Sequence, residues 1–420
     1  MDRRVKIAMA GLGQGAAGTL PSLALMPEVQ LVAGADVNPL MRANFERRYP
    51  GTRSYDSVEA LCRDPEVEAV WVATPNRFHC EHAIVALRAG KHAIVEKPMA
   101  VSLAEADTMI DVAEREGAVL LAGHTRSLSI WNRAMRRLIL SGSIGNVRAI
   151  NVNAYTDWMI RPRTPDELDP DEGGGIVYRQ GPHQIDTVRL LGGGRLRSVR
   201  GMTGEWFAAR PVPGFYSAFL EFEDGAIATV QHNGYGYFMT SSLYPWARDK
   251  RQYTDADRAA LRRALSERSR DEIGEKEQYR PGGPRDQRPE DVPSPYPWQP
   301  FDLGTVEVTC ERGVVRPHEW GLSIYGDDGR RDIDLRSLQR PEADPSGGLT
   351  HAIIGELYDA VVHGRPAYHN GAWGRATLEA VLAIIRSGRE RREIVLERQV
   401  AMPDGYDAGM DAQLEAKLTA

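Results

Sequence analysis

Cysteine is scarce in this chain of 420 residues and follows no recognisable pattern. Cys62, Cys80 and Cys310 are the only three, an odd number, widely separated and outside any metal-binding spacing. Such usage is typical of a reducing cytoplasm, without a disulfide framework or a structural zinc site. We therefore expect a cytoplasmic protein that uses no metal.

Long apolar runs and an excess of basic charge are also missing. No apolar stretch is long enough to span a bilayer, and the first residues lack the apolar core of a signal peptide. The formal net charge is -6, with 42% hydrophobic and 26% charged residues, which gives no reason to expect nucleic acid or a membrane as a partner. At this length two domains are expected rather than one core.

Lysine is rare as well, because the chain uses arginine for most of its positive charge. The lysines are Lys6, Lys91, Lys97, Lys250, Lys276 and Lys417. An apolar, strand-like run, 93–95, brings Lys97 to its C-terminal end. Pro98 follows, and it cannot continue a strand's hydrogen-bond ladder. Ligands of open α/β sheets bind outside the carboxyl ends of the strands, so Lys97 would stand at the mouth of a cleft, where a compact, titratable ammonium is useful. The alternative is a lysine that points into solvent.

A glycine-rich turn follows the first predicted strand, residues 5–10. It fits the dinucleotide fingerprint G-x-G-x-x-G/A, with Gly11, Gly13 and Ala16 at the three small positions. The following helix would offer its free N–H groups to a pyrophosphate. A plain glycine turn is the alternative. The predicted pyrophosphate site comprises Gly11, Leu12, Gly13, Gln14, Gly15 and Ala16.

The second predicted strand, 29–35, ends at Asp36. An acidic residue at this place accepts hydrogen bonds from the adenosine ribose and repels a 2′-phosphate. The pattern therefore favours NAD over NADP as the cofactor. Arg42, one helical turn further on, could soften that preference.

Strands and helices alternate through the rest of the first third of the chain. The near-continuously apolar run 67–73 suits a buried parallel strand, and 118–123 is the last strand of the series. Between them a helix over 103–116 is predicted, with Ser102 as its N-cap. This alternation predicts an α/β fold with a doubly wound parallel sheet.

Four motifs occur in a fixed order: Gly11-x-Gly13, Asp36, Thr74-Pro75-Asn76-x-x-His79 and Glu96-Lys97-Pro98. Together they resemble the Gfo/Idh/MocA family of NAD(P)-dependent oxidoreductases, over nearly the whole chain apart from one insertion. The resemblance implies an N-terminal Rossmann domain, 1–124, and a C-terminal α/β substrate domain, 125–420. It also implies a homo-oligomer, dimer or tetramer, through an open sheet face. The residues it adds to the NAD site are Thr74, Pro75, Asn76, His79, Glu96 and Lys97.

The second part of the chain has its own pattern. Alternation of apolar and polar residues in 147–155, 217–230, 305–309 and 322–325 predicts a large, mostly antiparallel sheet with one freer face. Helices are predicted over 349–363 and 373–386.

The stretch 239–300 looks like an insertion. It holds a charged helix, predicted over 255–272, and a Pro-rich loop over 281–300, a composition that cannot build a core. A lid, a subunit contact and a solvated excursion remain alternatives.

The chemistry of an alcohol dehydrogenase needs a base and a positive group at the reacting oxygen. His183 is the candidate base, since its free pKa lies near working pH, and Lys97 is the candidate electrostatic partner. Asp186, one helical turn further on, could orient His183 or contact the substrate. Arg179 stands where the family often has Asp, which exchanges a hydroxyl acceptor for a partner of carboxylates.

The arginines and aromatic residues near the expected cleft favour a planar, anionic, ring-containing substrate. The predicted substrate site comprises Arg126, Trp158, Arg161, Arg163, Tyr178, Arg179, His183 and Asp186. Within the family, the segments around them resemble phthalate cis-dihydrodiol dehydrogenases, which implies oxidation of cis-4,5-dihydroxycyclohexadiene-1,2-dicarboxylate to 4,5-dihydroxyphthalate. A sugar or inositol dehydrogenase and a non-catalytic NAD-binding regulator are the alternatives, although a regulator would need neither Lys97 nor His183.

Overall fold

A computed structural model gives the fold, and it describes residues 3–248, 253–278, 296–301, 303–339 and 349–418. The predicted Pro-rich loop lies mostly outside the described residues. No helix in the described ranges is both long and apolar enough to cross a membrane.

The first sheet carries the N-terminal third of the chain, and its strands are all parallel. Their order is β3-β2-β1-β4-β5-β6, which is the doubly wound arrangement expected from the alternating pattern. The strands are β1 (Val5–Ala10), β2 (Val29–Ala35), β3 (Arg53–Tyr55), β4 (Ala69–Val72), β5 (His92–Glu96) and β6 (Leu120–Gly123). The helices are α1 (Gln14–Ala17), α2 (Leu20–Leu25), α3 (Pro39–Arg48), α4 (Val58–Cys62), α5 (His79–Arg88) and α6 (Leu103–Glu116).

Local sequence signals set the ends of α6. The Ser102 side chain accepts a hydrogen bond from the N–H of Glu105 at the start, and Gly117 closes the helix at φ 62°. That left-handed conformation suits glycine, which has no Cβ to clash. Both ends of the predicted helix are therefore confirmed.

The second sheet is large and mostly antiparallel, as predicted, with β7 and β10 as its parallel pair. Its strand order is β14-β13-β12-β11-β7-β10-β9-β8-β15. The strands are β7 (Val147–Tyr155), β8 (Leu196–Gly204), β9 (Phe215–Phe222), β10 (Ile227–Asn233), β11 (Thr305–Cys310), β12 (Gly313–His318), β13 (Gly321–Gly326), β14 (Gly329–Asp334) and β15 (Ile394–Val395). The fold class, a parallel Rossmann sheet followed by an α/β part with an antiparallel sheet, is thus confirmed.

One face of the second sheet is packed and the other is freer. Along β7 and β9 buried residues alternate with exposed or partly exposed ones. Met202, Phe219 and Val395 are large apolar side chains left exposed on its strands. The expected subunit contact on this face, like the domain boundary at residue 124, stays a prediction.

The remaining helices are α7 (Ile130–Leu140), α8 (Ile176–Gly192), α9 (Asp255–Ser266), α10 (Glu272–Glu277), α11 (Leu349–His363), α12 (Gly371–Glu390) and α13 (Asp411–Leu418). Helix α12 packs on β8 and α8 and also on α6 and β6, so it contacts both sheets. Helix α11 returns to β1 and α2. The last segment of the chain therefore ties the two sheets together.

The charged helix of the insertion differs from its prediction. It is two helices, α9 and α10, rather than one over 255–272. The Asp271 side chain accepts a hydrogen bond from the N–H of Gly274 and so begins a new helix, because Asp competes for backbone N–H groups as an N-cap.

Candidate active site

A cleft of about 1280 Å³ lies at the carboxyl ends of β1, β2, β4 and β5. Residues of α8 and of the insertion complete its wall. The predicted cofactor residues that line it are Gly11, Gly13, Gln14, Gly15, Asp36, Thr74, Pro75, Asn76, His79, Glu96 and Lys97. The strand ends thus bring the four sequence motifs to one place, as an open α/β sheet requires.

The glycine turn after β1 leaves room for a phosphate group. Gly11 has φ +90°, and a Cβ there would lie 2.7 Å from the carbonyl oxygen of Ala73. A Cβ on Gly13 would meet nothing within 4 Å, and no side chain caps the first turn of α1. Close approach at Gly11 and open space at Gly13 fit a dinucleotide pyrophosphate on this backbone.

Two predicted cofactor residues of this turn are not among the lining residues. The side chains of Leu12 and Ala16 are buried in the core beneath it. Their place in the fingerprint reflects packing, since the third small position lets the helix approach the strand.

Asp36 fixes the glycine turn through its carboxylate. Oδ2 accepts a hydrogen bond from the N–H of Leu12 at 2.9 Å, and Oδ1 accepts one from the N–H of Asn38 at 2.8 Å. Arg42 Nη1 donates to the carbonyl oxygens of Asp36 and Val37, at 2.8 and 3.2 Å. These two hydrogen bonds of Arg42 go to backbone oxygens and not to the Asp36 carboxylate.

His79 links the segments that follow β4 and β5. Its Nδ1 lies 2.8 Å from the carbonyl oxygen of Pro98, and its Nε2 lies 2.8 Å from that of Thr74. Burial lowers the pKa of His79 to about 4, against the opposing effect of both carbonyl groups. The ring therefore holds the Lys97–Pro98 turn, whose peptide bond is cis, against the edge of the sheet.

Lys97 reaches from the first sheet to α8. Its Nζ donates to the carbonyl oxygen of Arg179 at 3.1 Å, and Arg179 lies one helical turn before His183, on the same side of the helix. The preceding Glu96 accepts hydrogen bonds from Trp71 Nε1 at 3.2 Å and from the N–H of Lys97 at 3.3 Å. Desolvation raises the pKa of the Glu96 carboxyl.

Lys97, Arg126, Arg179 and His183 all line the cleft. The His183 side chain is 7% exposed, and Arg126 lies over the Phe301 ring at 5.7 Å. The structure therefore brings the two predicted catalytic residues together with two of the four predicted arginines.

Five predicted substrate residues lie elsewhere. In the loop after β7, the aromatic and charged residues contact one another. The Arg163 guanidinium stacks 3.9 Å from the Trp158 ring centroid, and Arg161 Nε donates to Asp157 Oδ1 at 2.6 Å. Trp158 is 1% exposed and belongs to the core. Trp158, Arg161 and Arg163 are therefore not among the lining residues of the cleft.

Asp186 and Tyr178 are also outside the lining of the cleft. Asp186 Oδ1 accepts hydrogen bonds from Trp373 Nε1 at 2.6 Å and from Thr377 Oγ1 at 3.2 Å, both on α12. Tyr178 is half-buried, and burial raises the pKa of its hydroxyl. Helical spacing placed Asp186 near His183 but could not give the hydrogen-bond partners that α12 supplies.

Sequence reasoning missed one wall of the cleft. Thr164, Asp166, Glu167, Gln180 and Lys276 line it, although none belongs to a motif. Lys276 Nζ donates to Glu167 Oε2, and Arg179 Nη2 lies 3.6 Å from Glu167 Oε1. The rarity of lysine was the only available signal for Lys276. Among the described residues, no group of three or more His, Cys, Asp or Glu side chains could hold a metal ion.

Glu167 is the anion at the centre of that wall. Desolvation opposes its ionisation, but Arg163, Lys276 and Arg179 outweigh it and hold the pKa of Glu167 well below its usual range. Burial lowers the pKa of Lys276, against the attraction of Glu167. The wall is therefore a charged network with cations on both oxygens of one carboxylate.

Comparison with known proteins agrees with this architecture. Residues 5–124 match the oxidoreductase family described as an NAD-binding Rossmann fold, and residues 132–238 match the GFO/IDH/MocA C-terminal domain. The chain is 32% identical to the 1-carboxy-3-chloro-3,4-dihydroxycyclohexa-1,5-diene dehydrogenase of Comamonas testosteroni, over 92% of this chain and 95% of the relative. It is 38% identical to the 1,5-anhydro-D-fructose reductase of Ensifer adhaerens, over 33% of this chain and 42% of the relative.

A solved structure with a similar fold comes from Bordetella bronchiseptica RB50. It is 33% identical, with a TM-score of 0.83, and the match covers 94% of this chain and all of that one. The fold, the family matches over both parts of the chain and the Comamonas testosteroni relative, which is matched over 92% of this chain, all indicate the same family. The chain is therefore a dehydrogenase of the Gfo/Idh/MocA oxidoreductase family, with NAD as the cofactor of its Rossmann fold.

Proposed function

We propose that this dehydrogenase oxidises a carboxylated cyclic cis-dihydrodiol to the corresponding catechol. The observation that carries the proposal is that Arg126 and Arg179 line the same cleft as Lys97 and His183. Carboxylates are favoured partners of guanidinium groups. The relative from Comamonas testosteroni, by its name, acts on a carboxylated cyclohexadiene diol, which supports the same substrate class.

The first candidate substrate is cis-4,5-dihydroxycyclohexadiene-1,2-dicarboxylate, with 4,5-dihydroxyphthalate as the product. It has two carboxylates, and Arg126 and Arg179, which line the cleft, could each bind one. A dihydrodiol with a single carboxylate is the alternative that the relative favours. Both belong to the chemistry of aromatic catabolism, and the number of carboxylates separates them.

His183 and Lys97 carry the proton chemistry in this proposal. When bound, NAD supplies the acceptor for the hydride that leaves the carbinol carbon. His183 accepts the hydroxyl proton, and the Lys97 ammonium stabilises the negative charge that develops on the oxygen. The hydroxyketone that results loses no further electrons, because tautomerisation alone converts it to the aromatic catechol.

Asp36 supports NAD rather than NADP. Its carboxylate is held in place by two backbone N–H groups, of Leu12 and Asn38, so it cannot swing away from a ribose. A 2′-phosphate in that position would face a fixed negative charge.

A sugar or inositol substrate is the second candidate. Asp166 and Glu167 line the cleft as well, and carboxylates are acceptors for sugar hydroxyls. The relative from Ensifer adhaerens, by its name, reduces an anhydro sugar. Against this candidate, Glu167 is already engaged by Lys276 and Thr164.

Steady-state kinetics with NAD test the proposal. We expect kcat/KM for the phthalate dihydrodiol or its one-carboxylate analogue to exceed that for neutral cis-benzene dihydrodiol, inositol and glucose. A higher value for the one-carboxylate compound would retain the substrate class and replace the first candidate. Equal or better turnover of the neutral polyols would contradict the anionic substrate, and no NADH from any alcohol would favour a regulator.

A further inference from the structure

Lys276 brings the insertion into the cleft. It lies on α10, lines the cleft, and its side chain is 14% exposed. It comes from a segment whose composition fits a solvated excursion equally well, so its position there needs an explanation.

Helix α10 is fixed to the loop that follows β7. Glu272 Oε2 accepts a hydrogen bond from the N–H of Arg163 at 2.9 Å and another from Arg210. Just before the helix, Arg270 Nη1 donates to the carbonyl oxygen of Ile160 at 2.5 Å. Two of these contacts join a charged side chain to a backbone atom, and the third is an ion pair with the buried Arg210. Helix α10 is therefore a built part of the wall.

Glu167 joins Lys276 to Arg179. The N–H and Oγ1 of Thr164 donate to Glu167 Oε2, at 2.9 and 3.1 Å, which holds the carboxylate still. Lys276 donates to Oε2 as well, whereas Arg179 stands 3.6 Å from Oε1. Both cationic head groups therefore lie around one fixed carboxylate.

The Arg179 guanidinium retains N–H groups that can donate hydrogen bonds to a further anion. Its Nη1 donates to Asn76 Oδ1 at 3.3 Å, and its distances to Asp166 and Glu167 are 3.8 and 3.6 Å, longer than direct hydrogen bonds. Its Nε is buried and finds no hydrogen-bond partner among the described residues. A guanidinium in this state is prepared for a carboxylate.

The charges of this group also leave a place for an anion. Three cations, Arg163, Arg179 and Lys276, stand against two carboxylates, Asp166 and Glu167, so the group has a net charge of +1. A single additional carboxylate would neutralise it, and a buried charge without a partner is costly.

We propose that Lys276 and Arg179 together bind one carboxylate of the substrate, with Glu167 as the fixed counter-ion that sets their spacing. The inference rests on the proposed function, because it takes the substrate to be a carboxylated dihydrodiol. It assigns a specificity role to the insertion, which supplies one of the two cations.

The test compares Lys276→Met and Lys276→Arg with the wild type on a carboxylated cis-dihydrodiol and on neutral cis-benzene dihydrodiol. Loss of a charged hydrogen bond corresponds to about a 10- to 100-fold fall in kcat/KM. We expect Lys276→Met to show that fall on the carboxylated substrate alone, through KM, and Lys276→Arg to retain most of the activity. Arg263→Met is the matched control, at an exposed position on α9 of the same insertion. It should leave kcat/KM unchanged on both substrates.

The outcomes are distinguishable. Equal losses on both substrates, or a loss of NAD affinity in Lys276→Met, would make the role structural and overturn the inference. If the wild type prefers the carboxylated substrate and Lys276→Met has the same kcat/KM on it as the wild type, the inference is overturned and the proposed function stands. A wild type without that preference would overturn both.

Discussion

Asp36→Asn should shift the cofactor preference toward NADP. The substitution removes the negative charge and keeps one oxygen to accept the hydrogen bond from Leu12 N–H. Two unit charges about 4 Å apart in water interact by about 1 kcal/mol, and a 2′-phosphate carries nearly two. Salt screening reduces this sum of about 2 kcal/mol, so we expect a change of about 1–2 kcal/mol, or about 5- to 30-fold in the ratio of kcat/KM for NAD to that for NADP.

The assay is steady-state kinetics with both cofactors at one low ionic strength, on any alcohol that the wild type oxidises. Glu46→Gln is the matched control, because it removes a negative charge from the exposed side of α3, away from the lining of the cleft. Its cofactor ratio should equal that of the wild type. A ratio in Asp36→Asn that stays within about twofold of the wild type would refute the role given to Asp36.

The remaining predictions concern the buried pair of Glu356 and His369, which ties α11 to the start of α12. The Glu356 carboxylate accepts hydrogen bonds from the N–H of Tyr368 at 3.0 Å and from the N–H and Nδ1 of His369 at 2.9 and 2.6 Å, so Glu356→Ala should lower the free energy of unfolding by about 3–5 kcal/mol in urea denaturation. Asp359→Ala, which removes a carboxylate of α11 from an exposed ion pair with Arg365, should cost at most about 1 kcal/mol; equal effects of the two substitutions would contradict the account. Burial opposes both charges, but their contact outweighs it, lowering the pKa of Glu356 and raising that of His369. The stability that Glu356 contributes should therefore be lost as the pH falls from the pKa of Glu356 in the unfolded chain through its lower pKa in the folded protein. The stability that His369 contributes should be lost as the pH rises through its raised pKa in the folded protein. Urea denaturation of His369→Gln across this pH range checks the assignment, because both trends should disappear.

The first sheet could be predicted because its signals are local. Strand β1 and the helix bounded by Ser102 and Gly117 follow from apolar runs and capping residues that lie beside each other in the chain. The carboxyl ends of parallel strands meet at one edge, so the motifs at those ends identified the cleft without further information.

The second sheet and the far wall of the cleft depend on contacts between distant residues. The parallel pairing of β7 with β10 cannot be read from alternation, which gives only the faces of a strand. Arg163 and Trp158 have the residue types of a substrate site, yet they stack on each other. Lys276 meets Glu167, more than a hundred residues earlier in the chain, and no local pattern marks such a pair.

The central claim is that Lys97 acts on the reacting alcohol in the cleft rather than merely holding the fold. Turnover of Lys97→Met, measured beside its NAD affinity, tests this most directly. The ammonium lies 3.1 Å from the backbone of α8 at Arg179, and we propose that the glycine turn and Asp36 hold most of NAD. We predict that kcat falls by at least about 100-fold, as for the loss of a general acid–base or electrostatic group, while the Kd for NAD changes by less than about threefold. Turnover close to that of the wild type, with unchanged NAD binding, would contradict the account.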